Sequence, residues 1–228
     1  KFYNQVGDFL RKDNSARTAI KEYKKAEGFL QVYINNTAVQ KTEQELLESS
    51  LLKAKLEGNI GKCHVMLKEY DEGIPLLERS IEELTDFGDT NQKQQLVENS
   101  LYLAEAYLNR EEYEKAKKKF EDILLKEPKN LNALNNLGIC FSKQINFEKA
   151  ITIFKECINI NNKHKQAILN LANCLFQIKD FENSIINYNK VLEIDKDHII
   201  AKIGLSKCYF ALHNYEKAFY FFEARKKT

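Results

Sequence analysis

Apolar residues between positions 131 and 164 of the chain fall into two groups, each with the spacing of one helix face. With Leu131 as position 1, the first group occupies positions 4, 7 and 11, and the second occupies positions 17, 21, 24 and 28. Residues three and four apart are neighbours on a helix surface, so each group predicts one amphipathic helix. A polar break at residues 144–146 separates the groups, and the small residues Gly138 and Ala150 lie where the two helices would meet. The pattern therefore predicts a helical hairpin.

The same pattern recurs with a period of 34 residues in units that begin at residues 97, 165 and 199. Positions 7, 11, 17 and 24 are again aliphatic or aromatic, and positions 8 and 20 are again small. This pattern resembles the tetratricopeptide repeat, a helical hairpin of 34 residues. Pro128 at position 32 fits that family, whereas the Trp usual at position 4 is replaced by Ser100, Leu134, Ile168 and Lys202.

The first half of the chain keeps the hairpin pattern but predicts longer helices. Thr42 followed by Glu45 is a capping-box signature, and the apolar positions after it predict one helix over residues 43–67. Repeat starts at Ala54 and Val97 are 43 residues apart, so nine extra residues lengthen this unit. Pro75 is expected near the start of the next helix, where a missing amide does least harm. Further helices are predicted over residues 2–12, 16–34, 92–109 and 214–225.

These patterns and the resemblance together predict an all-α fold, a right-handed superhelical solenoid of about six antiparallel helix hairpins with lengthened helices in the first half. The predicted domain is a single solenoid over residues 1–228. Its hairpins are expected at residues 1–36, 41–87, 90–130, 131–164, 165–198 and 199–228.

Composition gives no indication of a nucleic-acid or membrane partner. The chain has 35 Lys and Arg against 33 Asp and Glu, and it has no apolar run near the roughly 18 residues of a membrane helix. We therefore expect neither nucleic-acid binding nor membrane insertion. The sequence lacks an initial Met and a signal-peptide pattern at its start, so we expect a piece of a longer protein.

The five cysteines occupy repeat positions that normally hold a small buried residue. Cys63, Cys140, Cys174 and Cys208 share position 10, and Cys157 lies at position 27. Adjacent packed helices lie about 8–10 Å apart, beyond the roughly 7 Å limit between disulfide-bonded Cα atoms. We expect reduced, buried thiols rather than disulfides or zinc ligands, and hence an intracellular, cytoplasmic protein.

No arrangement of residues typical of catalysis or cofactor binding is present in the sequence. His64 is expected in the core, whereas His164 and His198 share position 34 in turns between repeats. No phosphate-binding GxxxxGK[ST] motif exists, and the carboxylates are spread over exposed helix faces. We therefore predict a protein that is not an enzyme and binds no cofactor or metal.

The family resemblance implies that the first helix of each hairpin lines a concave groove that binds a partner protein or peptide. Recurring asparagines there could hydrogen-bond an extended peptide backbone, although Asn is common throughout the chain. The groove residues that the resemblance implies are Asn59, Lys62, Tyr102, Glu105, Asn135, Asn136, Asn170, Asn173, Lys207 and Phe210.

Two alternatives involve other surfaces or partners. A structural strut in a large assembly, such as a ciliary or microtubule-associated complex, would use the convex face and the long helices. A co-chaperone would need the family's carboxylate clamp, and of the five clamp positions in the last three units only Asn170 matches. The consecutive aromatics Phe219 to Phe222 also suggest a docking surface at the C-terminal helix.

Overall fold

The structure is a computed structural model that describes residues 16–36, 41–86 and 92–225. These residues form α-helices joined by short turns and contain no β-strand. The predicted helix over residues 2–12 and its neighbouring cap residues lie outside the described part. The helices are α1 (Ala16–Asn35), α2 (Glu43–Met66), α3 (Tyr70–Asp86), α4 (Lys93–Asn109), α5 (Tyr113–Lys126), α6 (Leu131–Lys143), α7 (Phe147–Ile160), α8 (Lys165–Gln177), α9 (Phe181–Ile194), α10 (Ile199–Ala211) and α11 (Tyr215–Ala224).

The chain divides into two compact units, Lys1–Lys119 and Phe120–Thr228. In the N-terminal unit α2 packs against α1, α3 and α4, and α3 packs against α4. In the C-terminal unit each helix from α6 to α11 packs against the next, and α8 also contacts α6 and α10. The predicted hairpins at residues 131–164, 165–198 and 199–228 correspond to α6–α7, α8–α9 and α10–α11. A single array of six hairpins over the whole chain stays a prediction.

Each hairpin turn between residues 66 and 215 of the described chain contains a residue in the left-handed conformation. Positive φ angles of 59–65° occur at Lys68, Glu111, Ile145, Lys179 and His213, all at position 15 of their repeat. Their spacing of 43 and then 34 residues reproduces the predicted register of the repeats. Around Ile145, the amide of Ile145 donates to Ser142 O and the amide of Asn146 donates to Phe141 O, which is the Schellman arrangement.

Side chains cap the helices at both kinds of turn. Within hairpins, Asn146, Asp180 and Asn214 each accept a hydrogen bond from the amide three residues on. Between hairpins, Nδ1 of His164 and of His198 accepts from the third amide of the following helix. These two imidazoles, which the sequence analysis placed only in turns, thus satisfy amides that would otherwise lack partners.

The two helices of a hairpin come close together at positions 8 and 20. A Cβ atom added to Gly61 would lie 3.0 Å from Gly73 O, and Gly73 is equally close to Gly61 O. At the same positions, Ser184 Oγ donates to Ala172 O at 2.8 Å. Small side chains therefore allow close approach of the helices in these two hairpins, whereas a Cβ added at Gly138 would meet the ring of Phe154 first.

Two predicted details of the N-terminal unit differ from or refine the sequence-based expectation. Pro75 is the sixth residue of α3 and therefore lies beyond the four initial amides that have no partner within the helix. It removes one backbone hydrogen bond of the helix, contrary to the expectation that its missing amide would do little harm. His64 is mostly buried as predicted, and its Nδ1 lies 2.8 Å from Glu69 Oε2.

The predicted capping box at the start of α2 is confirmed. Thr42 Oγ1 accepts a hydrogen bond from the Glu45 amide, and the Thr42 amide donates to Glu45 Oε2.

We predict that Ile145→Asn stabilises the C-terminal unit by about 1 kcal/mol, because a β-branched residue is strained at positive φ whereas Asn tolerates it. Ile145 is 75% exposed, so the change sacrifices little packing. Urea denaturation followed by circular dichroism would measure it. The control is Ile186→Asn, at an exposed helical site on α9, which relieves no strain and should not stabilise. An equal gain from both variants would contradict the strain argument.

We also predict that Gly138→Ala destabilises the protein by about 1–3 kcal/mol, since the new Cβ would lie 2.5 Å from the fully buried ring of Phe154. Gly28→Ala is the matched control, because a Cβ there meets no atom within 4 Å. In a helix that change should stabilise by up to about 1 kcal/mol. Thermal denaturation of both variants would show shifts of opposite sign; shifts of the same sign would refute the close-contact interpretation.

Candidate partner-binding face

The first helices of the C-terminal hairpins form one layer. α8 contacts α6 on one side and α10 on the other, although the second helices α7 and α9 intervene along the chain. Six of the predicted groove residues lie in this layer, and we call them the first-helix face. They are Asn135 and Asn136 on α6, Asn170 and Asn173 on α8, and Lys207 and Phe210 on α10.

Four amide side chains form a continuous chain of hydrogen bonds across α8 and α6. Gln166 Nε2 donates to Asn170 Oδ1 at 3.3 Å, and Asn170 Nδ2 donates to Asn135 Oδ1 at 3.0 Å. Asn135 Nδ2 in turn donates to Asn136 Oδ1 at 3.2 Å. We call these four residues the amide row. The sequence analysis identified three of them but missed Gln166, which lies one helical turn before Asn170 and was recognisable by that spacing.

The amide row differs in exposure along its length. Asn135 is buried, whereas Asn136 and Asn170 are half-buried and Gln166 is exposed. An amide side chain has two N–H groups and two lone pairs on its oxygen. Within the row, Asn170 uses one N–H group and one lone pair. These two hydrogen bonds fix the orientation of its side chain towards α6. Asn170 is therefore both held in place and reachable from solvent.

Asn173 is oriented by the second helix of its own hairpin. Tyr188 OH donates to Asn173 Oδ1 at 2.6 Å. Burial raises the pKa of the Tyr188 hydroxyl, so the hydroxyl stays protonated and acts as the donor. With its oxygen engaged, the half-buried Asn173 presents its Nδ2 as a donor group.

The α10 members of the first-helix face are the most exposed. Lys207 is exposed, and Phe210 is 64% exposed with its ring edge-on to Tyr215 at a centroid distance of 5.5 Å. The face thus offers amides on α6 and α8 and an aromatic ring with a cation on α10.

The predicted groove residues of the N-terminal unit have different surroundings. Lys62 is fully buried, and its Nζ lies 2.8 Å from Glu98 Oε2. Asn59 is buried and accepts from Gln95 Nε2 at 3.4 Å. Lys62 and Asn59 therefore contribute to packing between α2 and α4 and are not presented to solvent. Tyr102 and Glu105 on α4 are partly exposed.

A buried polar network that the sequence analysis missed connects α2, α3 and α4. Asn99 accepts from Gln95 Nε2 and donates to Ser80 Oγ, which donates to Ala54 O at 2.6 Å. Gly58 makes room for it, since a Cβ there would lie 2.3 Å from Asn99 Nδ2. Every step joins a donor to an acceptor, so the network ties three helices together without leaving these polar groups unsatisfied.

All five cysteines are buried, as predicted, and none is part of a disulfide. Burial raises the pKa of the Cys157 thiol to about 11, with a smaller contribution from the charge of Glu156. Cys174 and Cys208, whose thiol pKa values are also raised by burial, donate to Ser142 Oγ and Ser184 Oγ. At neutral pH these thiols are protonated and therefore poor nucleophiles.

The described residues contain neither a metal site nor a membrane-spanning helix. Within them, His, Cys, Asp and Glu side chains never come together in a group of three or more that could hold a metal ion. In the same residues, no helix is both long and apolar enough to cross a membrane.

Family models for the tetratricopeptide repeat match residues 101–158 and residues 166–198. No match was found among curated protein sequences. Among solved structures, a MamA fragment (41-end) from Desulfovibrio magneticus RS-1 is similar with a TM-score of 0.67 and 18% identity, covering 77% of this chain and 94% of that one. MamA of strain AMB-1 is similar with a TM-score of 0.60 and 16% identity, covering 77% and 91%. These likenesses show the fold, an all-α helical-repeat solenoid.

We predict that the Lys62–Glu98 pair is structural. Glu98→Gln would leave a buried ammonium beside a neutral amide, and we expect a loss of about 2 kcal/mol in urea denaturation. Lys62→Met removes the buried charge and fills similar space, so its effect should stay below about 1 kcal/mol. If Lys62→Met were the more damaging variant, the ammonium would have a role beyond pairing with Glu98.

Proposed function

Since this chain is a tetratricopeptide-repeat protein, we propose that it is a non-enzymatic scaffold that binds a partner polypeptide along the first-helix face of its C-terminal unit. Protein–protein interaction is the general role of this repeat. The choice of the first-helix face is our proposal, and it is supported by the family resemblance, which implies that first helices line a concave groove.

The observation that carries the proposal is the amide row. Asn170 is held by two hydrogen bonds, from Gln166 and to Asn135, and remains half-exposed. A binding group that is oriented in advance loses less conformational entropy when a ligand arrives. Asn170 has one further N–H and one further lone pair, which match the carbonyl and amide of an extended peptide backbone.

Other members of the face add contacts of a different kind. The Asn173 amide provides donors whose direction is set by Tyr188, and the exposed ring of Phe210 offers an apolar anchor for a side chain of the partner. Backbone contacts by amides discriminate little between sequences, so we expect specificity to come mainly from the side chain that meets Phe210. Five buried cysteines that form no disulfide are consistent with a reducing, cytoplasmic location.

We predict that changing Asn136, Asn170 and Asn173 together to Ala abolishes partner capture in an affinity pull-down from lysate quantified by mass spectrometry. The physical reason is that the variant lacks the oriented amides that would bind the partner backbone, while the second helices keep all their side chains. Circular dichroism would confirm that the triple variant is folded.

The matched control changes three asparagines on or beside the second helix α9 to Ala: Asn162, Asn187 and Asn189. This control removes the same number of amides and should retain capture at the wild-type level. Capture that survives in the first variant and fails in the control would locate binding on the outer surface, as expected of a strut in a larger assembly.

A further inference from the structure

Acidic residues are absent from the first helices of the C-terminal unit. The helices α6, α8 and α10 have 13 residues each, and none of these residues is Asp or Glu. The whole chain has 33 Asp and Glu among 228 residues, so a random distribution would place several of them in these three helices. The second helices of the same hairpins, α7, α9 and α11, carry two glutamates each. They are Glu148, Glu156, Glu182, Glu193, Glu216 and Glu223.

The aspartates in the turns beside these first helices are engaged within the protein. Asp195 Oδ2 lies 2.7 Å from Lys165 Nζ, and Asp197 Oδ1 lies 3.0 Å from Lys202 Nζ. Asp180 caps the start of α9. Two of the four lysines on the first helices are thus paired, and these aspartates add no free negative charge to the first-helix face.

The other two lysines of these helices, Lys143 on α6 and Lys207 on α10, are exposed. In the part of the chain that the structure describes, no carboxylate pairs with either ammonium. Lys143 lies seven residues, or about two helical turns, after Asn136, and Lys207 occupies the same repeat position as Asn173. Both lysines therefore lie on the first-helix face, one on each side of α8.

We infer that the polypeptide bound by the first-helix face is an extended, acidic segment of a partner protein, with one carboxylate side chain for Lys143 and another for Lys207. This inference rests on the function proposed above and names the chemistry of its partner. Charge complementarity provides the argument. The face has two cations and no carboxylate, so it attracts an acidic segment, whereas a basic segment would bring like charges together. Both carboxylates are side chains within the segment, so its terminal carboxylate is not required.

The order of the helices sets the spacing of the two carboxylates. Packed helices lie about 8–10 Å apart and α8 lies between α6 and α10, so the helices that carry the two lysines are roughly 16–20 Å apart. An extended chain advances about 3.3 Å per residue, which places the carboxylates about five or six residues apart. Between them the segment crosses the amide row, and beside Lys207 it meets the ring of Phe210.

A phage library of random dodecapeptides, selected on the whole chain, tests this chemistry. The selected peptides should carry two Asp or Glu about five or six residues apart. The same selection on a variant with Lys143→Glu and Lys207→Glu should no longer enrich acidic peptides. Circular dichroism establishes that the variant is folded, and both lysines are exposed, so their replacement leaves the core intact.

Fluorescence anisotropy with the tightest selected peptide, amidated at its C-terminus, then tests the two contacts. The double lysine variant should bind this peptide at least tenfold more weakly than wild type. The matched control changes Lys155 on α7 and Lys190 on α9 to Glu, which reverses two exposed lysines on second helices and should alter affinity by less than about threefold, since salt screens distant charges. A peptide with Lys in place of both acidic residues should bind the double lysine variant more tightly than wild type, and only direct pairing produces this exchange.

Failure of this inference differs from failure of the proposed function. Selected peptides that need Asn136, Asn170 and Asn173 but show no preference for Asp or Glu would overturn the inference and leave the proposed function standing. Peptides that bind independently of both the asparagines and the two lysines, or no selected peptide at all, would overturn both.

Two further results would assign the first-helix face to another occupant and overturn the inference. Sedimentation could show self-association that the double lysine variant abolishes, which would place an acidic segment of a second copy on the face. A single-stranded oligouridylate could bind more tightly than the selected peptide and lose that binding in the double lysine variant, which would make nucleic acid the ligand.

Discussion

Close contact between the two helices of each hairpin is the constraint on which the rest of the structure depends. Where positions 8 and 20 are Gly61 and Gly73, the backbones approach so closely that an added Cβ would meet a carbonyl at 3.0 Å. Where they are Ala172 and Ser184, the serine hydroxyl donates to the alanine carbonyl. Because the small residues allow this approach, the large residues at positions 7, 11 and 24 extend beyond the hairpin and pack on its neighbours.

Turn geometry keeps that contact in register. The left-handed residue at position 15 follows a first helix that ends at the same repeat position in α2, α4, α6, α8 and α10. A capping side chain begins the next helix at once in α7, α9 and α11. Position 15 is occupied by Lys, Glu, Ile and His, and of these only His is enriched at positive φ. At the Lys, Glu and Ile turns, packing of the helices on either side must therefore compensate for a local cost of about 1–2 kcal/mol.

Much of this architecture was predictable from the sequence, because the spacing of apolar residues and of small residues along the chain identifies helix faces and the places where helices meet. The capping box at Thr42, the hairpins of the C-terminal unit and the burial of the cysteines were all predicted correctly. What could not be predicted depends either on neighbours distant in sequence or on the orientation of a side chain. Lys62 lies on a first helix, at a repeat position that the family uses in its groove. Its side chain is nevertheless fully buried and paired with Glu98 on α4. His164 and His198 could be placed in turns, but their capping role depends on ring orientation.

The asparagines of the first-helix face make hydrogen bonds within the protein, and the geometry explains how these bonds are compatible with the binding role that we propose for them. Asn170 contributes one donor and one acceptor to the amide row, and an amide has twice that capacity. One bond of the row, from Asn170 Nδ2 to Asn135 Oδ1, joins the adjacent first helices α8 and α6, and the bonds within each helix orient these two side chains. A peptide lying across those helices would meet polar groups whose spacing is already set. Replacing such an asparagine by a charged residue would disturb the helix contact as well as the ligand contact, which is a physical reason to use neutral amides at this face.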